Sequence, residues 1–105
     1  MKIGAAIKQV RSKAGLKQKD LAERCGVTAA YLSQIERDVR TPSIELLEKI
    51  GSILGIPIPV VLFLGITEDD VASGKVSEFR ILKPLVEKLM LDVFEADENS
   101  RPENT

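Results

Sequence analysis

The chain has 105 residues, of which 44% are apolar and 4% aromatic; this suffices for one compact domain with an added element and is too short for two full domains. A single cysteine, Cys25, and no histidine exclude an internal disulfide, a structural zinc site and histidine-based acid–base catalysis. The net charge of −1 conceals an asymmetry: residues 1–64 carry ten Lys/Arg against six Asp/Glu, and residues 65–105 carry five against ten. Either a basic half that suits nucleic acid is joined to an acidic half with a separate role, or mixed surface charge has drifted this way by chance; charge alone does not choose between them.

Ile3, Ile7 and Val10 recur at helical spacing, with Lys8, Arg11 and Lys13 largely opposite, and Gly15 ends this first helix. These scattered apolar residues do not form a signal peptide. A second helix is expected over 18–25, with Leu21, Ala22 and Cys25 inward, stopped by Gly26. Thr28 is a good N-cap for a third helix over about 29–37, whose inward pair is Leu32 and Ile35. A fourth helix follows, capped either by Ser43 or by Thr41 with Pro42 at its first position. Its expected apolar stripe is Ile44, Leu47, Ile50 and Leu54, and Gly55 ends it. Pro57 and Pro59 introduce a short fifth helix over about 59–64.

The longest apolar stretch, Ile53 to Ile66, contains both of these prolines and is shorter than the ~20 residues a membrane span needs. The expectation is a soluble, cytoplasmic protein with no membrane partner. Residues 65–76, with Gly65, Glu68-Asp69-Asp70 and Ser73-Gly74, read as a linker whose acidic triplet is solvated and lacks partners. Beyond it Phe79, Leu82, Leu85, Val86, Leu89, Met90, Val93 and Phe94 share one apolar face over 77–95. Pro84 should kink this helix or split it into pieces at about 75–83 and 84–95. Residues 96–105 are polar and expected to be disordered.

The most specific pattern lies in residues 18–37. Ala22 is small where two helices cross, Gly26 makes the turn, and Val27 and Leu32 fill the space between them. Thr28, Ala29, Ala30, Tyr31, Ser33, Gln34 and Arg37 are left to face outward on a helix that can enter a DNA major groove. The combination of Gln18, Leu21-Ala22, Gly26-Val27, Leu32-Ser33, Ile35-Glu36-Arg37 and Pro42-Ser43 resembles the helix-turn-helix domain of the Cro and lambda-repressor type, the XRE family. The likeness covers nearly all of residues 3–64. It implies an all-α chain: a five-helix lambda-repressor-like DNA-binding domain over 1–64, followed by a C-terminal amphipathic helical segment that dimerises.

The resemblance also implies roles. Gln18 would hold a phosphate together with the helix N-terminus, and Lys17 would add charge beside it. Thr28, Ala29 and Ala30 would open the recognition helix. Two alanines can only touch thymine methyls or permit close approach, which leaves hydrogen-bonded readout to Ser33 and Gln34, with glutamine suited to adenine. Tyr31 would lie on a phosphate or base edge. Arg37, Arg40 and Thr41 would hold the backbone beyond the helix. Arg11 is expected to form a structural ion pair with Glu36 rather than a DNA contact. Lys17 stands where the family usually has a capping Thr or Ser, and Asp38 where it often has Gly.

Two function classes follow. One is a sequence-specific regulator of double-stranded DNA, a repressor acting as a homodimer on a palindrome through the apolar face of 77–95. The other is an antitoxin or similar interaction component whose acidic C-terminal arm holds a protein partner. No catalytic residues, metal site or cofactor are expected.

Overall fold

The computed structural model describes residues 1–94 and contains helices without strands among them. Five short helices form the first part: α1 (Ile3–Lys13), α2 (Gln18–Cys25), α3 (Ala29–Glu36), α4 (Ile44–Leu54) and α5 (Ile58–Leu64). Two single turns of 3-10 helix, Glu68–Asp70 and Ser73–Lys75, lead into α6 (Val76–Val93). The sequence expectation for the tail, residues 96–105, lies outside the described residues.

The core is aliphatic, as the near-absence of aromatics requires. Ile7, Val10, Leu21, Leu32, Ile35 and Ile50 have the largest fully buried side chains. α1 lies at the centre of the arrangement, against α3, α4 and α5. Its backbone approaches α3 so closely that a Cβ on Gly4 would sit 1.8 Å from the carbonyl oxygen of Ile35.

Local chemistry explains the helix ends. Ser43, not Thr41, caps α4, its Oγ accepting from the amide of Leu46 at 3.1 Å. Lys2 offers α1 no side-chain cap. Asp38 supplies one from the far side of α3: its two carboxylate oxygens accept from the amides of Gly4 and Ala5 at 2.8 and 3.1 Å. The same residue adopts a left-handed φ of 60°, a conformation Asp tolerates better than most residues.

Four expectations are corrected. Ile44 is not in the apolar stripe of α4: it is 71% exposed on the first helical position, and Leu46 is buried in its place. Of the two alternatives at Pro84, a kink or a split, the split is corrected: α6 runs through the proline as one element. Proline removes one amide donor and leaves the carbonyl four residues earlier without its helical partner, a loss that the remaining turns of an 18-residue helix tolerate.

The acidic triplet is not a free linker. Glu68 accepts two bonds from Arg80, at 2.7 and 3.0 Å. Asp70 accepts from the N-terminal amine at 3.1 Å and from the amide of Thr67 at 2.8 Å.

The fourth correction concerns the apolar face of α6, which the structure divides. Leu91 is buried in the core, and Met90 and Phe94 pack against it. Phe79 and Val86 are half-buried. Leu82, Leu85, Leu89 and Val93 point outward together with Ile81, at 54–72% exposure. Two adjoining faces of one helix are therefore apolar. The inward one docks α6 beside α5, where Lys83 Nζ donates to the carbonyls of Leu64 and Ile66 at 3.1 and 2.5 Å, closing the C-terminal end of α5. No single helix among the described residues is long and apolar enough to cross a membrane.

Candidate nucleic-acid interface

The corner between α2 and α3 is built by its sequence. Gly26 takes φ 74° with its amide bonded to the carbonyls of Ala22 and Glu23, a left-handed stop that any Cβ would penalise. Val27 donates to the Ala22 carbonyl at 3.0 Å and packs half-buried on the core. Thr28 then starts α3, its Oγ1 accepting from the amide of Tyr31 at 3.0 Å. With Leu32, Ile35 and Glu36 buried, α3 turns its other side to solvent.

On that side Ala29, Ala30 and Arg37 are exposed, and Tyr31, Ser33 and Gln34 are half-buried. Thr28, Arg40 and Thr41 are exposed around its two ends. Lys17 is exposed at the start of α2 and makes no side-chain cap. The first-turn amides of α2 lie at the positive end of a helix dipole, where an anion is favoured.

Beneath this surface lies a buried carboxylate. Glu36, whose side chain is 1% exposed, accepts from Arg11 Nε at 2.6 Å, from Arg11 Nη2 at 3.0 Å and from Gln18 Nε2 at 2.9 Å. Arg11 Nη1 also donates to the Leu16 carbonyl at 2.7 Å. One ion pair thus joins α1, the α1–α2 turn, α2 and α3. Nothing in the sequence signals this partner for Gln18: the contact to Glu36 fixes its side chain at the head of α2.

Tyr31 packs against the core and also carries the Arg40 guanidinium above its ring, 5.5 Å from the centroid. Arg40 Nε donates to Oε1 of Gln34 at 2.7 Å. The pairing of Arg40 with Gln34 had no periodic signal in the sequence. It arises because Asp38 reverses the chain after α3. Cys25 is buried and free, and burial pushes its thiol up, against a smaller opposing effect of Lys49; it stays a neutral core side chain at pH 7. Among the described residues, no group of three or more His, Cys, Asp or Glu side chains could hold a metal ion.

The helix-turn-helix family model matches residues 7–61, more than half of the chain and all of the corner just described. The chain belongs to the XRE helix-turn-helix family. It is 44% identical over 61 residues to the HTH-type transcriptional regulator SinR of Bacillus subtilis, covering 57% of this chain and 55% of that one. It is 37% identical over 62 residues to the immunity repressor protein of Bacillus phage phi105, covering 59% of this chain and 43% of that protein. The chain therefore matches about half the length of these curated relatives. Among solved structures, the clp gene regulator ClgR from Corynebacterium glutamicum aligns with a TM-score of 0.59 at 28% identity, over 86% of this chain and 88% of that one. That share is larger than residues 1–64 can supply, so this likeness extends past the helix-turn-helix domain. By their names these three are a transcriptional regulator, an immunity repressor and a gene regulator.

Proposed function

We propose that this chain is a sequence-specific DNA-binding transcriptional repressor that binds a palindromic operator as a homodimer in the cytoplasm. The observation that carries the reading is the outward side of α3. Small and polar residues, Ala29, Ala30, Ser33 and Gln34, are flanked by Arg37 and Arg40 on a helix held rigidly by the Arg11–Glu36 pair beneath it. The kinship with regulators that include a phage immunity repressor supports repression.

In this reading α3 lies in the major groove. Ser33 and Gln34 meet base edges, and Ala29 and Ala30 allow close approach. Thr28, Tyr31, Arg37, Arg40 and Thr41 surround that contact, while Lys17 and Gln18 with the α2 N-terminus hold a phosphate. One recognition helix reads only a few base pairs, and two copies on half-sites about 34 Å apart supply the rest. The outward stripe of α6, Ile81, Leu82, Leu85, Leu89 and Val93, is the surface on which the second copy packs. Its i, i+4 spacing forms a narrow seam suited to one facing helix, and the adjoining face of α6 is already spent on its own domain.

Selection of duplexes from random DNA with the purified chain tests this. A palindromic motif with half-sites one helical turn apart is expected. Binding without any enriched sequence would overturn the reading. The second reading, a protein partner on the same exposed stripe, predicts a monomer that still binds DNA.

A further inference from the structure

Arg40 is not a loose cation beside α3. The left-handed turn at Asp38, φ 60°, reverses the chain so that the amides of Val39 and Arg40 both donate to the carbonyl of Gln34, at 2.9 and 3.3 Å. The Arg40 side chain then runs back over the helix. Its Nε meets Oε1 of Gln34 at 2.7 Å, and its guanidinium carbon lies 5.5 Å from the centroid of the Tyr31 ring. A hydrogen bond along one edge and a ring beneath fix both the position and the orientation of the guanidinium plane.

The chemical consequence concerns what Gln34 can read. A free glutamine amide suits adenine because it offers one acceptor to the N6 amino group and one donor to N7. In this structure the acceptor is turned to Arg40. One of the two lone pairs on Oε1 is thereby taken, and the pair presents mostly donors: the Gln34 amino group and the terminal nitrogens of Arg40. Adenine and cytosine each put an amino donor into the major groove, whereas guanine puts two acceptors there, N7 and O6.

We propose that Gln34 and Arg40 act as one donor-rich reading surface that selects guanine over adenine at one position of each half-site, with Tyr31 as the platform that holds Arg40 in place. This rests on α3 being the recognition helix.

The test uses the full chain and its selected operator, with each half-site position changed through all four base pairs and relative affinities measured by competition at fixed salt. The wild type is expected to prefer guanine over adenine at one position by about tenfold. Arg40→Ala releases Oε1 of Gln34 and should move the preference at that position to adenine, leaving the other positions unchanged. Gln34→Leu should abolish the preference there. Arg40 is exposed and Gln34 half-buried, and unchanged melting temperatures will confirm that the variants are folded.

Adenine preferred by the wild type, with no change in Arg40→Ala, would overturn the proposal. So would an Arg40→Ala variant that binds every sequence equally more weakly with a salt slope lower by about one, the mark of a phosphate contact. A wild type that selects no motif at all would overturn the recognition-helix reading, a result distinct from either.

Discussion

Glu36 keeps its carboxylate buried beneath the outward side of α3, paired with Arg11. A carboxylate at 1% side-chain exposure is tolerable only because Arg11 and Gln18 satisfy it; buried charges demand partners. Removing one member of such a pair costs about 3–5 kcal/mol, because the other is left buried and uncompensated. Arg11→Ala should therefore lower stability by that amount, read from chemical denaturation. The DNA affinity of the folded fraction should change little. A variant with an unchanged melting temperature that no longer binds DNA would instead place Arg11 at the phosphate backbone. Replacing both residues, Arg11→Met with Glu36→Leu, should cost less than Arg11→Ala alone, since two apolar groups leave no stranded charge. Asp38 shows the limit of reading residues one at a time. As a substitute for glycine it is a compromise in the left-handed region, yet its carboxylate caps α1 from 33 and 34 residues away. That second duty has no local signature.

At the scale of elements, the sequence was most legible where causes are local. α2 lies where Leu21, Ala22 and Cys25 recur and Gly26 stops the chain, and α3 starts where Thr28 can cap. The connector to α6 was illegible because its partners are remote: Arg80 lies 12 residues from Glu68, and the N-terminal amine 69 residues from Asp70. The same holds for Leu91, whose place in the core depends on how α6 docks rather than on its position in a periodic pattern. These ion pairs make the connector a latch with a definite pH response. Arg80 holds the Glu68 carboxyl below its ordinary value of 4.5, chiefly through their hydrogen bond. The amide of Thr67 and then the N-terminal amine hold Asp70 below its ordinary 3.8. Groups depressed in this way stabilise the folded form at pH above their unfolded-state values and cease to do so as pH falls through the depressed ones. The latch should be intact at neutral pH and should loosen in acid below about pH 4. Hydrogen exchange of amides at the start of α6 should then accelerate relative to those of α3. Glu68→Gln should remove part of this pH dependence. Equal exchange behaviour of the two helices across that range would show that the latch does not hold α6. Because both carboxylates are on the surface, the effect is local and does not amount to unfolding.

At the scale of the whole molecule, the fold separates two surfaces. The basic residues gather in the helix-turn-helix domain, and the large exposed apolar side chains gather on α6. Docking of α6 through Lys83, Met90, Leu91 and Phe94 means that a second copy bound to α6 would be positioned relative to α3 rather than tethered at random. In the proposed dimer, association and operator spacing are then one property. Leu89→Glu tests this directly. Leu89 is 65% exposed, so the substitution should leave the melting temperature of the protomer nearly unchanged. It places a charge in the middle of the proposed seam, where desolvation opposes association. Sedimentation should show a shift from dimer to monomer. Operator affinity should fall by about 100-fold or more, because the second head no longer binds as an intramolecular event. Affinity for an isolated half-site should be preserved. The slope of log affinity against log salt should fall to roughly half, since half the phosphates are neutralised. A Leu89→Glu protein that remains dimeric and binds the full operator as tightly as before would exclude the α6 stripe as the dimer surface. If the wild type is already monomeric, the stripe is left for a different protein. The two outcomes are separable because only the first keeps the wild-type salt slope at the value of a two-headed binder.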